Sequence, residues 1–221
     1  FALHALTGDT GITKWRGSVF DCKVGRERRT VKVICTNNPA HIMRNLLMEP
    51  MFRLDLHKLR RVMDGNFKRH DISGTINPSY QESCDFIDNL GKSDEPIAFD
   101  IEVIANETAC IGFANSAHSG ICINFRDNST NRYSISEELE IRNRIQQLFN
   151  NRENRFIAQN GSFDCGWLWY KDRIRVPKVW FDTLLAHHTL YPRLPHNLGY
   201  LTAQYTDHPY YKDEGKTWRE G

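Results

Sequence analysis

Eight residues, Ile97-Ala98-Phe99-Asp100-Ile101-Glu102-Val103-Ile104, set two carboxylates inside an otherwise apolar run. A continuous apolar run of this length reads as a buried strand. Side chains two apart on a strand share a face, so Asp100 and Glu102 point the same way. Like charges side by side at the edge of a core repel and lose hydration, which is costly without a positive partner. A hard divalent cation such as Mg²⁺ or Mn²⁺ supplies that partner, since it prefers carboxylate oxygens. An Arg or a set of backbone amides would also serve, and the pair alone leaves both readings open.

A second cluster adds weight to the metal reading. Phe156-Ile157-Ala158-Gln159 is a short apolar strand candidate that runs into Asn160-Gly161-Ser162-Phe163-Asp164. Gly161 punctuates and Ser162 can begin a helix. Asp164 then falls in the first helical turn, where it would meet Asp100 and Glu102 if the two strands are neighbours. Stabilisation of the helix dipole is the alternative role for it. Phe163, Trp167 and Tyr170 have helical spacing and are expected in the core, with stacking on frayed bases as the alternative. His187 and His188 are adjacent on a helix, so surface or packing roles are expected rather than a shared metal. Asp182, just before Thr183, is expected to cap a helix.

The order of elements points to one architecture. Ile97–Ile104, 109–114 and 120–125 read as three strands of an antiparallel meander. Ser134–Asn150 reads as an amphipathic helix with a Ser134/Glu137 capping box and an inner face of Leu139, Ile145, Leu148 and Phe149. Strand 155–159, helix 162–170, strand 178–182 and helix 183–191 follow. Three strands, a helix, then strand–helix–strand–helix is the order of an α/β, RNase H-like mixed β-sheet with flanking helices. Before it, 18–24 and 30–36 read as a hairpin around the basic turn Gly25–Arg29, and Leu54–Met63 as a helix turning Leu56, Leu59, Val62 and Met63 toward a core. Ser79-Tyr80-Gln81-Glu82 begins a helix carrying Phe86, Ile87 and Leu90.

Asp-x-Glu on a first strand followed by Asn-x-x-x-Asp resembles the first two motifs of the DEDD 3′–5′ exonucleases. The closer similarity is to the proofreading domain of phage-like family A DNA polymerases. Val179-Trp180-Phe181-Asp182-Thr183-Leu184-Leu185-Ala186 and the stretch Leu194–Thr206 resemble that family's next strand and helices. The resemblance implies an exonuclease domain over residues 92–221, incomplete at its C-terminus, acting on single-stranded or frayed 3′ DNA ends, with a polymerase domain downstream. It implies a site for two Mg²⁺ or Mn²⁺ ions, with Asp100 bridging both, Glu102 on the nucleophile side and Asp164 anchoring the second. Asn160 and Phe163 would contact the strand. The family's third motif, which carries a fourth carboxylate, is expected beyond Gly221. Neither Asp207 nor Asp213 sits in the apolar helix it requires.

Residues 1–64 carry a separate resemblance. Gly11-Ile12-Thr13-Lys14-Trp15-Arg16-Gly17-Ser18 and Thr36-Asn37-Asn38-Pro39-Ala40-His41-Ile42-Met43-Arg44 are similar to the C-terminal half of iron–sulfur-type uracil-DNA glycosylases. Asn38-Pro39 stands where that family has His-Pro, and Asn cannot carry the charge that His can. No iron–sulfur cluster is expected in this stretch, and Arg44 would hold a DNA phosphate. Residues 65–91 read as a linker with a lead-in helix. The alternatives to an exonuclease are a base-excision glycosylase and a noncatalytic DNA-binding remnant.

Composition bounds these readings. A 221-residue chain with 40% hydrophobic and 25% charged residues fits a globular protein of one large or two small domains. Its net charge of +2 does not imply a strong nonspecific polyanion binder. No apolar stretch approaches the roughly 18 residues of a membrane span, and no membrane partner is expected. Six Cys stand singly with no Cys-x-x-Cys. Neither a zinc site nor a disulfide framework is indicated, and a reducing cytoplasm is the expected compartment; the resemblance to phage-like polymerases implies that of a bacterial or phage-infected cell.

Overall fold

The computed structural model describes residues 2–69, 71–127 and 130–210. It divides into two compact units. One combines residues 1–69 with 187–221, and the other spans 70–186. The linear segments at 1–64, 65–91 and 92–221 follow the sequence motifs, whereas these units follow contacts.

The second unit is built on a six-stranded mixed sheet. Its elements, numbered in chain order after those of the first unit, are β3 (Ser73–Ile76), α5 (Tyr80–Leu90), β4 (Ile97–Ile104), β5 (Glu107–Ala114) and β6 (Ser119–Asn124). The short β7 (Arg126–Asp127) and β8 (Thr130–Asn131) follow, then α6 (Ile135–Asn150), β9 (Phe156–Ala158), α7 (Ser162–Trp167) and β10 (Phe181–Asp182). Helix α8 (Thr183–Leu190) begins in this unit. Strand order is β10-β9-β4-β5-β6-β3. Strands β4, β5 and β6 form the antiparallel meander, while β9 runs parallel to β4 and β10 parallel to β9. This is the mixed α/β sheet with flanking helices expected from the element order.

Local chemistry explains the helices. Both α5 and α6 begin with a capping box, Ser79 with Glu82 and Ser134 with Glu137, which satisfies backbone donors that have no helical partner. Their apolar faces meet one face of the sheet in a core that includes Ile87, Leu90, Ile97, Phe99, Ile101, Ile145 and Phe149. Phe149 lies 4.7 Å from Phe156 and 5.2 Å from Phe99 between ring centroids. Arg142 binds Glu138 and Asp172 and lies over Phe125, tying α6 to the segment after α7.

Several local expectations change. Leu139 is exposed, and Ile141 takes its place on the inner face of α6. Strand β3 was not legible, because all four of its residues are exposed at an edge and no apolar run marks it. The helix expected over 162–170 is α7 followed by a π-helical turn, Leu168–Asp172. The strand expected over 178–182 is only two residues long.

The first unit contains α1 (Ala2–Thr7), α2 (Ile12–Trp15), the hairpin β1 (Val19–Val24) and β2 (Arg29–Ile34), α3 (Pro39–Arg44) and α4 (Glu49–Met63). From the other end of the chain it takes α9 (Leu198–Tyr205). Helix α4 starts five residues before the sequence suggests, with Pro50 at a position where its missing N–H costs nothing. Its buried face is Met51, Asp55 and Lys58, while Leu56 and Met63 are exposed. The reason is electrostatic pairing. Arg16 is 1% exposed and donates to Asp55 Oδ1 at 2.8 Å and to the Met51 carbonyl at 3.2 Å. Thr36 and Gln204 also donate to Asp55. Lys58 donates to the Gly17 and Ala203 carbonyls, and burial lowers its pKa to about 8. Gly17 is obligatory, since it has φ +79° and a Cβ there would lie 2.9 Å from the Ala203 carbonyl oxygen and run into Gln204.

Candidate active site

The register of β4 sets the site. Ile97, Phe99 and Ile101 are buried, while Asp100 and Glu102 are exposed on the other face. The sequence expectation that this pair loses its hydration is therefore corrected: the two-residue period of the strand carries both carboxylates to the open side. Asp100 lies opposite Gly112 and Glu102 opposite Cys110, and a bulge follows Glu102.

Desolvation falls instead on Asp164, which is 5% exposed. Strand β9 pairs with β4 only at Ile97 and Ala98. Beyond that point the Ile101 N–H needs another acceptor, and Asp164 Oδ1 provides it at 3.1 Å. This bond seats Asp164 against the backbone of the residue between Asp100 and Glu102. Burial raises its pKa first, and the charges of Asp182 and Glu102 raise it further, against the lowering effect of the Ile101 bond. The site lies at the carboxyl end of the parallel pair β4 and β9, the usual ligand position in open α/β sheets.

The chain reversal before α7 is held by Asp182. Its Oδ1 accepts from Asn160 N at 3.1 Å and Leu184 N at 2.9 Å, and its Oδ2 accepts from Gly161 N at 2.8 Å. Capping was the expected role for Asp182, and these bonds supply it. Asn160 adopts φ +59°, a region Asn tolerates well. A Cβ at Gly161 would lie 2.7 Å from that of Ala158, so only glycine fits.

The remaining predicted residues are placed as follows. Phe163 is 53% exposed and Tyr170 is exposed, so neither is the core residue their spacing suggested. Trp167 is half-buried, donates to Thr108 Oγ1 at 2.9 Å and stacks with Phe163 at 6.0 Å. Asn38 caps α3 by accepting from Ala40 N at 2.8 Å, with Pro39 at the first helical position. Arg44 is exposed and donates to the Ala40 carbonyl. His187 and His188, although adjacent, both meet His196, at 2.8 and 3.1 Å on its two ring nitrogens. Tyr210 packs edge-on against Trp15. Asp213 lies outside the described residues. Among the described residues, no three His, Cys, Asp or Glu side chains converge as a closed metal cluster. Asp100, Glu102 and Asp164 each carry the oxygen donors that hard cations prefer, and the bond that places Asp164 beside this pair is the one to the Ile101 N–H.

A model of the 3′–5′ exonuclease family matches residues 77–219. The chain belongs to that family. Family membership implies nuclease-type hydrolysis at nucleic-acid ends. Among solved structures, the EXO domain of Aedes aegypti Nibbler has 14% identity and a TM-score of 0.50, over 67% of this chain and 76% of that one. Brucella melitensis NrnC has 15% identity and a TM-score of 0.42, over 64% and 62%. Escherichia coli RNase D has 13% identity and a TM-score of 0.47, over 66% and 36%. The Nibbler similarity supports the RNase H-like exonuclease fold. A search of curated proteins finds no match.

Proposed function

We propose that this exonuclease domain hydrolyses DNA from the 3′ end as the proofreading part of a phage-like DNA polymerase. The observation that carries the reading is the seating of buried Asp164 on the Ile101 N–H, between the exposed carboxylates Asp100 and Glu102. Asp100, Glu102 and Asp164 would hold Mg²⁺ or Mn²⁺, which would activate water and stabilise the charge of the departing 3′ oxygen. The chain's own groups do the rest. Glu102 stands on the open face, where it can accept a hydrogen bond from the attacking water and orient it. Water adds to phosphorus, the P–O3′ bond breaks, and a nucleoside 5′-monophosphate leaves a strand one residue shorter. Exposed Phe163 offers a ring for the terminal base, and Asn160 lies at the same turn.

The glycosylase-like residues are read here as structural. Arg16 is committed to Asp55 and Asn38 to its helix cap. A primer–template with a mismatched 3′ end tests the proofreading role. Faster shortening of the mismatched than of the matched primer is expected, because a frayed end is already single-stranded. Equal rates on both ends, or shortening of RNA alone, would contradict it.

A further inference from the structure

Two thiols that are 12 residues apart in sequence meet on the face that carries Glu102. Strand β5 pairs Cys110 with Asn124, and Gly112 with Cys122, on β6. Cys110 and Cys122 are therefore diagonal neighbours on one face. Cys110 is also the direct partner of Glu102 on β4. Carboxylate, thiol and thiol thus cross three adjacent strands. Both cysteines are partly accessible, whereas Cys22, Cys35 and Cys84 are buried. Gly112, between them in the register, places no side chain in the way.

We propose that Cys110 and Cys122 form a peroxide-oxidisable pair, a modification site on the face of the exonuclease centre. The Cys122 sulfur, whose thiol also reaches Asn124 Oδ1 at 3.3 Å, attacks a hydroperoxide oxygen. The O–O bond breaks, a sulfenic acid forms, and an alcohol (water when the oxidant is H₂O₂) departs. The Cys110 sulfur then attacks the Cys122 sulfur, forming S–S and expelling the sulfenic oxygen as water. Two electrons pass from the two thiols to the peroxide, and their two protons leave in the products. Diagonal Cα atoms stand about 7–8 Å apart in an antiparallel sheet, beyond the usual span of a disulfide, so bridging requires the backbone to move. The bridge therefore draws β5 and β6 together beside Glu102 and is readily reduced again.

The effect on catalysis rests on the exonuclease reading, but the thiol chemistry does not. The full chain is treated with graded H₂O₂ in the presence of dimedone, and its peptides are mapped by mass spectrometry alongside Cys110→Ser and Cys122→Ser. A reversible bridge joining residues 110 and 122 is expected. In Cys110→Ser, a dimedone adduct is expected on Cys122. Displacements of about 1 Å can cost about 10²-fold in rate, and 3′-end shortening should fall at least tenfold on bridging and return with dithiothreitol. Oxidation of Cys165 or the buried thiols while 110 and 122 stay reduced would overturn the pair. A bridge that leaves shortening unchanged would overturn its link to the site. If the reduced chain shortens no DNA at all, the proposed function falls while the mass spectra still decide the thiol chemistry.

Discussion

Asp164 keeps a carboxyl group buried at a cost to the fold. Its raised pKa means that the folded chain holds this proton to higher pH than the unfolded chain does. The stability it contributes is complete below the ordinary carboxylate pKa and is lost as pH rises through the raised folded value. At neutral pH the buried carboxylate is a burden that a cation would relieve. Asp164→Asn keeps an oxygen to accept from Ile101 and removes the charge. We expect this variant to melt higher than the parent at pH 7, with the difference disappearing in acid below the ordinary carboxylate range. Mg²⁺ should raise the melting temperature of the parent and leave that of the variant unchanged. A variant that melts lower at pH 7, or responds equally to Mg²⁺, would show that Asp164 is not held charged for a cation. The sequence made Asp100, Glu102 and Asp164 visible as candidates because strand and helix spacing put their carboxylates on predictable faces. It misplaced the desolvation, because burial depends on which side of the sheet the helices cover. It hid Cys110 and Cys122 as a pair, since only the β5–β6 register brings them together.

Elements whose information is local were legible, and those defined by distant partners were not. The capping boxes of α5 and α6 are written in four consecutive residues each, and both helices start there. The inner face of α4 was misread, because Asp55 and Lys58 look like solvent residues until Arg16, Gly17 and Ala203 are brought to them. Breaking one partner of a buried ion pair typically costs about 3–5 kcal/mol, whereas replacing both with apolar residues is often near neutral. Arg16→Met should therefore destabilise the chain by about that amount, and Arg16→Met with Asp55→Leu should recover most of the loss. Denaturant unfolding of the two single variants and the double variant measures the coupling. Simple additivity of the two single losses would contradict a buried pair at this position. Strand β3 escaped notice for the opposite reason: it buries nothing, and is held through its parallel pairing with β6.

At the scale of the molecule, the two ends of the chain make one unit. Lys58 on α4 binds the carbonyl of Ala203 on α9, Arg61 pairs with Asp207, and Tyr210 N donates to Ser18 Oγ. A linear reading assigns residues 1–64 and the Leu198–Tyr205 helix to different proteins' motifs and cannot see this closure. Deleting residues 1–64 should unprotect α9, with amide exchange over 198–205 rising to the rate of an unstructured segment while α6 keeps its protection. Unchanged protection of α9 in the deletion would show that this helix stands without the N-terminal segment.

The central claim, that Asp100, Glu102 and Asp164 form the catalytic centre of a 3′–5′ exonuclease, is tested most directly by hydrolysis of a 5′-labelled single-stranded DNA oligonucleotide with Mn²⁺. The chain is compared with Asp100→Ala and Asp164→Ala, each checked for folding by circular dichroism. A ladder of 3′-shortened products is expected from the parent chain and should disappear in both folded variants. A ladder that persists unchanged in either variant would contradict the account.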